Sequence, residues 1–325
     1  MTSHPYSTLT PDAVLDAIAS AGLRPDGRML GLNSYENRVY QVWLEEAEGG
    51  NEAVVVKFYR PGRWTETQID EEHDFARELA GREIPVIAPT HKGHFGGFIF
   101  AAYPRRGGRT PDLDNAKTLE WIGRFIARIH AVGAVKPFKA RETLSVETFG
   151  HAQRKWLLEH ALIPAELLEA WKAVTEQALF SIERSFERAG STKSIRLHGD
   201  CHPGNILWTD AGPHFVDLDD ARMGPAVQDL WMLLSGDRAS QTQQLSAVLR
   251  GYRDFAELDP RELNLLEALR TLRLINYSAW IARRWDDPAF PAAFPWFNTQ
   301  RYWQDRILEL REQIALMDEA PLSPA

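Results

Sequence analysis

Along the front third of the chain, apolar positions recur with the two-residue period of half-buried strands. Met29 to Leu32, Val39-Tyr40-Gln41-Val42-Trp43-Leu44 and Ala53-Val54-Val55-Val56-Lys57-Phe58-Tyr59 predict three strands, with the acidic, glycine-containing stretch Glu45 to Asn51 turning between the last two. Ahead of them, Thr10 and Pro11 suit the cap and first position of a short helix whose Val14, Leu15 and Ile18 share one face. Thr65 to Ala80 then shows a helical period, with Ile69, Phe75, Ala76 and Leu79 on its apolar side and Gly81 beyond its end. Val86-Ile87-Ala88 and Phe98 to Tyr103 predict two more strands.

The pattern changes at Pro104-Arg105-Arg106-Gly107-Gly108-Arg109. Beyond it the helical period dominates, over residues 116–131, 165–189, 227–235, 240–256 and 262–285. Ile206-Leu207-Trp208 and His214-Phe215-Val216 interrupt it as a small hairpin around Asp210-Ala211-Gly212, and a tail with Pro321 and Pro324 reads as frayed. The expectation is an α+β protein with a strand-rich stretch over 1–103, a linker at 104–110 and a larger helical stretch over 111–325.

Composition narrows the function. The 325 residues carry 44% hydrophobic and 25% charged side chains, an ordinary globular balance. With 37 basic against 45 acidic residues the formal charge is −8, so nothing drives nucleic-acid binding. The single cysteine, Cys201, excludes an internal disulfide and predicts a reducing, cytoplasmic setting. Apolar runs fall short of the ~20 residues a membrane span needs, and the N-terminus lacks a signal-peptide profile.

Chemistry concentrates in Ile195-Arg196-Leu197-His198-Gly199-Asp200-Cys201-His202-Pro203-Gly204-Asn205, followed by Phe215-Val216-Asp217-Leu218-Asp219-Asp220. Asp200 and Asn205 stand in the D-x-x-x-x-N spacing of a kinase catalytic loop, where the Asp accepts the substrate hydroxyl proton and the Asn holds magnesium. Magnesium prefers oxygen ligands, and Asn205 with Asp217, twelve residues on, meets that requirement. Plainer readings exist. Asp200 and Asn205 alone suit turns and caps, and Asp219 and Asp220 read equally as metal helpers or solvated loop acids. His198 and His202 flank Asp200 and would mimic a zinc site, a reading that leaves Asn205 and Lys57 without purpose; His198 fits better as an orienter of the loop. Cys201 has no visible base or activating cation and reads as a packed thiol. Asp229 reads as a buttress of the loop. The C-terminal aromatics, among them Tyr277 and Trp280, suit a helical core or an acceptor rim that Arg283 and Arg284 would join.

The HGDCHPGN and FVDLDDA strings resemble the catalytic motif and metal loop of the aminoglycoside phosphotransferase-like kinase superfamily. Leu32 to Tyr40, Val55 to Pro61, Asp217 to Leu234 and Trp285 to Phe290 resemble one branch of it, the bacterial stress response kinase A family of Ser/Thr protein kinases. This resemblance implies a bilobal, protein-kinase-like fold that uses ATP and Mg²⁺ to phosphorylate a hydroxyl. The implied acceptor is a Ser or Thr of a protein, or of the chain itself, acted on by a monomer. Asp200 matches the family's proton acceptor, Asn205 and Asp217 its metal ligands, and Lys57 its phosphate-contacting lysine. The partner of Lys57 is Glu72 or Glu71, and Ser34 falls in the phosphate-covering turn, which here lacks G-x-G-x-x-G. Two alternatives remain: a small-molecule kinase for an aminoglycoside, choline or homoserine-like acceptor, and a catalytically silent nucleotide-binding module.

Overall fold

In the computed structural model, residues 4–160 and 162–324 are described, so the extreme ends of the two predicted stretches, residues 1–3 and 325, lie outside the described residues, as does residue 161. Two compact units emerge. One takes the chain up to Thr110 together with Ile206–Asp219 and Asp287–Ala289; the other takes Pro111–Asn205, Asp220–Asp286 and Phe290 onward. Two pieces downstream of the 104–110 linker thus cluster with the first unit.

The first unit is built on an antiparallel sheet of β1 (Pro25–Leu32), β2 (Arg38–Glu48), β3 (Asn51–Phe58), β4 (His91–Phe95) and β5 (Phe98–Pro104), in the order β1-β2-β3-β5-β4. Alternation sorts its side chains. Val54, Val56 and Phe58 of β3 and Phe98, Phe100 and Ala102 of β5 pack on one face with Val14, Ala17 and Ile18 of α1 (Pro11–Ser20). The intervening Lys57 and its register partner Ala101 therefore belong to the opposite face, where Ala101 and Tyr59 pack with Ile69 of α2 (Glu66–Ala80). Thr65 and Gln68 close a capping box at the start of α2, so the helix begins where its sequence signals it.

One predicted strand is displaced. Val86 makes only an isolated bridge to Phe215, and the strand lies instead at His91–Phe95, joined to β5 through Gly96-Gly97 at φ 58° and 86°. As an edge strand it needs little apolar side chain, which hid it from the hydrophobic pattern. The hairpin of Ile206–Thr209 and Gly212–Phe215 forms as expected.

The second unit is helical: α3 (Ala116–Gly133), a π-helical turn at Glu147–His151 leading into α4 (Ala152–Glu159), α5 (Ala165–Ala189), α6 (Gln228–Trp231), α7 (Arg238–Tyr252), α8 (Leu266–Ala282), α9 (Ala289–Ala293) and α10 (Gln300–Asp318). A short antiparallel pair, Ile195–Leu197 with Arg222–Gly224, frames the loop that carries Asp200. The helix expected over 227–235 shrinks to the four residues of α6, and the one over 262–285 opens with a 3-10 turn at Pro260–Leu265, where Asp259 caps and Pro260 takes the first position. Glycines at 123 and 251 let α3 and α7 touch backbone to backbone: a Cβ on either would collide with the carbonyl oxygen of Val248 or Glu120. The tail is not frayed as expected, because Leu322 is buried and Arg238 bonds the Ala320 carbonyl and pairs with Glu319 at 3.2 Å. No helix among the described residues is long and apolar enough to cross a membrane.

Candidate active site

In the first unit the site is assembled around Lys57. Its position on β3 turns it toward α2, and Glu72, one turn after the buried Ile69, reaches it. The Lys57 Nζ donates to Glu72 Oε1 at 2.9 Å, so the choice between Glu71 and Glu72 falls on Glu72. The ammonium also lies 3.4 Å from Asp217 Oδ1 and 3.5 Å from Asp219 Oδ1. Burial works against its charge, but Glu72 and the surrounding Tyr103, Tyr59 and Asp219 outweigh burial and hold the lysine pKa well above its usual value. Tyr59 secures the same carboxylate, donating to Glu72 Oε1 at 3.2 Å.

Asp217 is half-exposed and sits at φ 60°, a left-handed conformation that few non-glycine residues hold unless their surroundings demand it. Asp219 is no solvated loop acid. It is buried between Lys57 and Arg63, and with it begins a run of charges of alternating sign. Arg63 lies 3.7 Å from Glu36, Glu36 lies 3.8 Å from Arg60, and Asp287 is held by Arg60 at 2.8 Å and by Arg38 at 3.1 Å. Burial would raise the Asp287 carboxyl pKa, yet the Ala289 amide and the two guanidiniums hold it below the ordinary range. Ser34 occupies the β1–β2 turn, and its hydroxyl donates to the Asn37 carbonyl at 3.2 Å, closing that turn.

In the second unit the candidate catalytic loop is fastened from behind. Asp229 of α6 accepts from the Gly199 amide through Oδ1 and the His198 amide through Oδ2, both at 2.8 Å, while Gln228 donates to the Gly199 carbonyl at 3.2 Å. His130 of α3 lies 3.0 Å from Asp229 Oδ2 and 2.9 Å from the Tyr252 hydroxyl of α7. Burial pushes the Asp229 carboxyl up, but the His130 hydrogen bond, the charges of His130 and His198 and the Gly199 amide prevail and hold its pKa down. Gly199, at φ 85°, tolerates no side chain, since a Cβ would strike the Asp220 carbonyl.

Asp200 thus leaves a rigid turn. Its carbonyl accepts from Asn205 Nδ2 at 2.9 Å, and its carboxylate meets Arg273 Nη1 at 2.6 Å and His202 Nε2 at 3.5 Å. The two loop histidines serve the backbone: His198 Nδ1 accepts from the Asp200 amide at 3.4 Å and His202 Nδ1 from the Gly204 amide at 2.9 Å. No group of three His, Cys, Asp or Glu side chains gathers as a metal site among the described residues. Cys201 is fully buried, and burial followed by the charges of Asp229 and Asp200 pushes its thiol pKa well up, which suits a packed thiol. Most C-terminal aromatics are core: Trp303 packs edge-on against Trp171 at 5.1 Å, and Phe290 and Phe297 are buried. Tyr277 and Trp280 remain half-exposed.

Each unit by itself offers an oxygen of the kind a hard divalent cation takes. Asn205 uses its Nδ2 inside its loop, so its amide carries an acceptor oxygen besides, and Asp217 in the other unit presents a half-exposed carboxylate. Of the residues singled out in the sequence, the structure brings Lys57, Glu72 and Asp217 together in one unit, and Asp200 and Asn205 together in the other. Sequence reasoning missed Arg273, His130 and the Arg63–Glu36–Arg60–Asp287–Arg38 run. Glu36, Arg38, Arg60 and Asp287 all fall within strings already noted for resemblance, but their pairing across up to 249 residues is invisible without the fold.

Residues 30–266 match the phosphotransferase enzyme family. The chain is 45% identical over 323 residues to stress response kinase A of Escherichia coli K12, spanning 98% of this chain and 96% of that protein. It is 43% identical, with the same coverage, to the serine/threonine protein kinase RdoA of Salmonella typhimurium. Among solved structures, an amicoumacin kinase bound to AMP-PNP, Ca²⁺ and its antibiotic aligns with a TM-score of 0.72 at 19% identity, covering 96% of this chain and 95% of that one. A microcompartment-associated aminopropanol kinase aligns with a TM-score of 0.65 at 18% identity, covering 93% and 94%. These likenesses confirm the expected kinase-like fold, and the chain belongs to the phosphotransferase enzyme family, among the stress response kinase A relatives.

Proposed function

We propose that this protein transfers the γ-phosphoryl group of ATP to a Ser or Thr hydroxyl of a protein, in a stress response in the cytoplasm. The observation that carries the reading is the buried Lys57–Glu72 pair with Asp217 at the same ammonium, in a chain whose relatives are named as kinases. Phosphoryl transfer asks little covalent chemistry of a protein; positioning and charge neutralisation supply most of the acceleration. Lys57, held charged and pointed by Glu72 and Tyr59, takes the nucleotide phosphates. Asp217 and the Asn205 amide oxygen would hold Mg²⁺, which when bound neutralises phosphate charge. Asp200 orients the acceptor hydroxyl and takes its proton at Oδ2, the oxygen that Arg273 does not hold. As that hydroxyl oxygen bonds to the γ-phosphorus, the bond to the bridging oxygen breaks and ADP leaves.

The protein acceptor is favoured by the relatives, of which one is named as a Ser/Thr protein kinase. The test is to incubate the purified protein with γ-labelled ATP and Mg²⁺ alone, with a cell extract and with a panel of amino alcohols, sugars and aminoglycosides. Label in phosphoserine or phosphothreonine is expected. Label in a small molecule would replace the protein acceptor, and no label in any arm would make the chain a silent nucleotide-binding module.

A further inference from the structure

The guanidinium of Arg273 is the only cation bonded to the candidate proton acceptor among the described residues apart from the His202 ring, and it is only partly used. Its Nη1 donates to Asp200 Oδ1 at 2.6 Å, while Nε and Nη2 make no hydrogen bond to the described residues. The side chain is 40% exposed. Arginine presents five donors in a fixed planar fork, so one edge can hold Asp200 while another takes a second anion. Because Asp200 is the group that meets the acceptor hydroxyl, that second anion falls within about one residue of the hydroxyl.

Arg273 also begins a stripe. Arg273, Tyr277 and Trp280 recur at helical spacing along α8, with Arg284 in the turn just past its end, and all four are half-exposed, whereas Leu272, Ile275, Ala279 and Ile281 are buried. Tyr277 and Trp280 stack at 5.6 Å with their planes 14° apart, and the Arg284 guanidinium lies 5.4 Å over the Trp280 ring. Arg283 adjoins this end of the stripe, where the Glu142 charge reaches it. A basic head beside the reacting group, continued by aromatic faces, suits an extended acidic segment. It opposes a cationic amino alcohol or aminoglycoside, whose ammonium would meet the guanidinium.

We propose that Arg273 reads a negative charge next to the acceptor hydroxyl, so that the preferred acceptor is a Ser or Thr flanked by an acidic residue. The inference rests on the protein-acceptor reading above and names its substrate class. One charge-assisted hydrogen bond sets the scale of the preference at roughly 10–100-fold.

The test uses the full chain with Mg²⁺ and ATP on Ser peptides that differ only in carrying Asp, Asn or Lys beside the Ser. An ethanolamine and an aminoglycoside arm run in parallel. Wild type is expected to favour the Asp peptide over the Asn peptide by that factor in kcat/KM. Arg273→Gln should bring the ratio close to one, and Arg273→Glu should favour the Lys peptide. Ratios within one variant cancel any loss of folded enzyme, and if Arg273→Glu fails to fold, Arg273→Gln decides. Peptides phosphorylated without regard to charge, or an acidic preference that survives Arg273→Gln, would overturn the inference and leave the protein-kinase reading standing. Phosphorylation confined to the amino alcohol or aminoglycoside, or to nothing, would overturn both.

Discussion

Replacing Asp229 by Asn removes one charge and almost no volume, and the structure specifies the consequence. The carboxylate accepts three donors, Gly199 N at one oxygen and His198 N with His130 Nε2 at the other, all within 3.0 Å. An amide keeps one acceptor oxygen and turns its NH₂ on at least one of these donors. The better orientation loses the Gly199 bond, and the other loses both contacts of Oδ2. A buried donor left without a partner costs about 1–3 kcal/mol, and each of the two surviving bonds falls from about 1.5–3 kcal/mol to about 0.5–1.5 kcal/mol once its acceptor is neutral. Together these come to about 3–6 kcal/mol, which overlaps the roughly 3–5 kcal/mol found when a buried charged pair is broken.

Urea titration of wild type and variant reads this as a fall in midpoint at unchanged slope. The pH dependence follows from sign. Because folding lowers the Asp229 pKa, its stabilisation is fully present above the unfolded value near ~4 and is lost as pH falls through the lower folded value. The gap between the two proteins should therefore hold steady from neutral pH down to about 4 and narrow only below that. Phosphoryl transfer should fall as well, since His198 and Gly199 carry Asp200. A destabilisation under about 1 kcal/mol, or a gap that widens in acid, would refute the buttress.

Two further outcomes follow from other buried acids. Glu262, buried beside Asp259 with its Oε2 on the Val227 amide at 2.9 Å, has its pKa raised by burial to about 7. It therefore costs stability as pH rises from ~4.5 to ~7, and Glu262→Gln should gain up to about 3 kcal/mol relative to wild type between pH 5 and 8 in denaturant titrations; a pH-independent difference would contradict this. Glu72→Gln should destabilise by about 2–3 kcal/mol, less than a lone buried pair, because Asp217 and Asp219 still face the ammonium. Calorimetry should also show weaker ATP binding for Glu72→Gln, and unchanged affinity would free Glu72 from the nucleotide site.

Local physics explains what the sequence revealed. The Thr65 capping box fixed α2, the two-residue period of β3 separated Lys57 from Val56 and Phe58, and the run 69, 72, 76, 79 marks the buried face of α2. That same run distinguishes Glu72 from Glu71 once burial is known. Strand His91–Phe95 was hidden because an edge strand needs no apolar pattern, although Gly96-Gly97 before Phe98 was a hairpin signal. Helix α10 has a Thr299 cap and buried Trp303, Ile307, Leu310, Ile314 and Met317 at alternating four- and three-residue steps, a period that the dense aromatics just ahead of it obscure. Arg273 on Asp200 and Asp287 on Arg38 lie 73 and 249 residues from their partners. Nothing local marks such pairs, since each half alone is an ordinary surface charge.

Separating chemistry from binding at Asp200 tests the central claim most directly. Asp200→Asn preserves size and removes the proton acceptor; the Arg273 and His202 partners of its carboxylate lie in its own unit, and Lys57, Glu72 and Asp217 belong to the other. Transfer of the labelled γ-phosphoryl group should fall by roughly 10²–10⁴-fold, the usual worth of general-base catalysis, while ATP affinity by calorimetry stays near that of wild type. An Asp200→Asn protein that turns over at a near-normal rate would contradict the account.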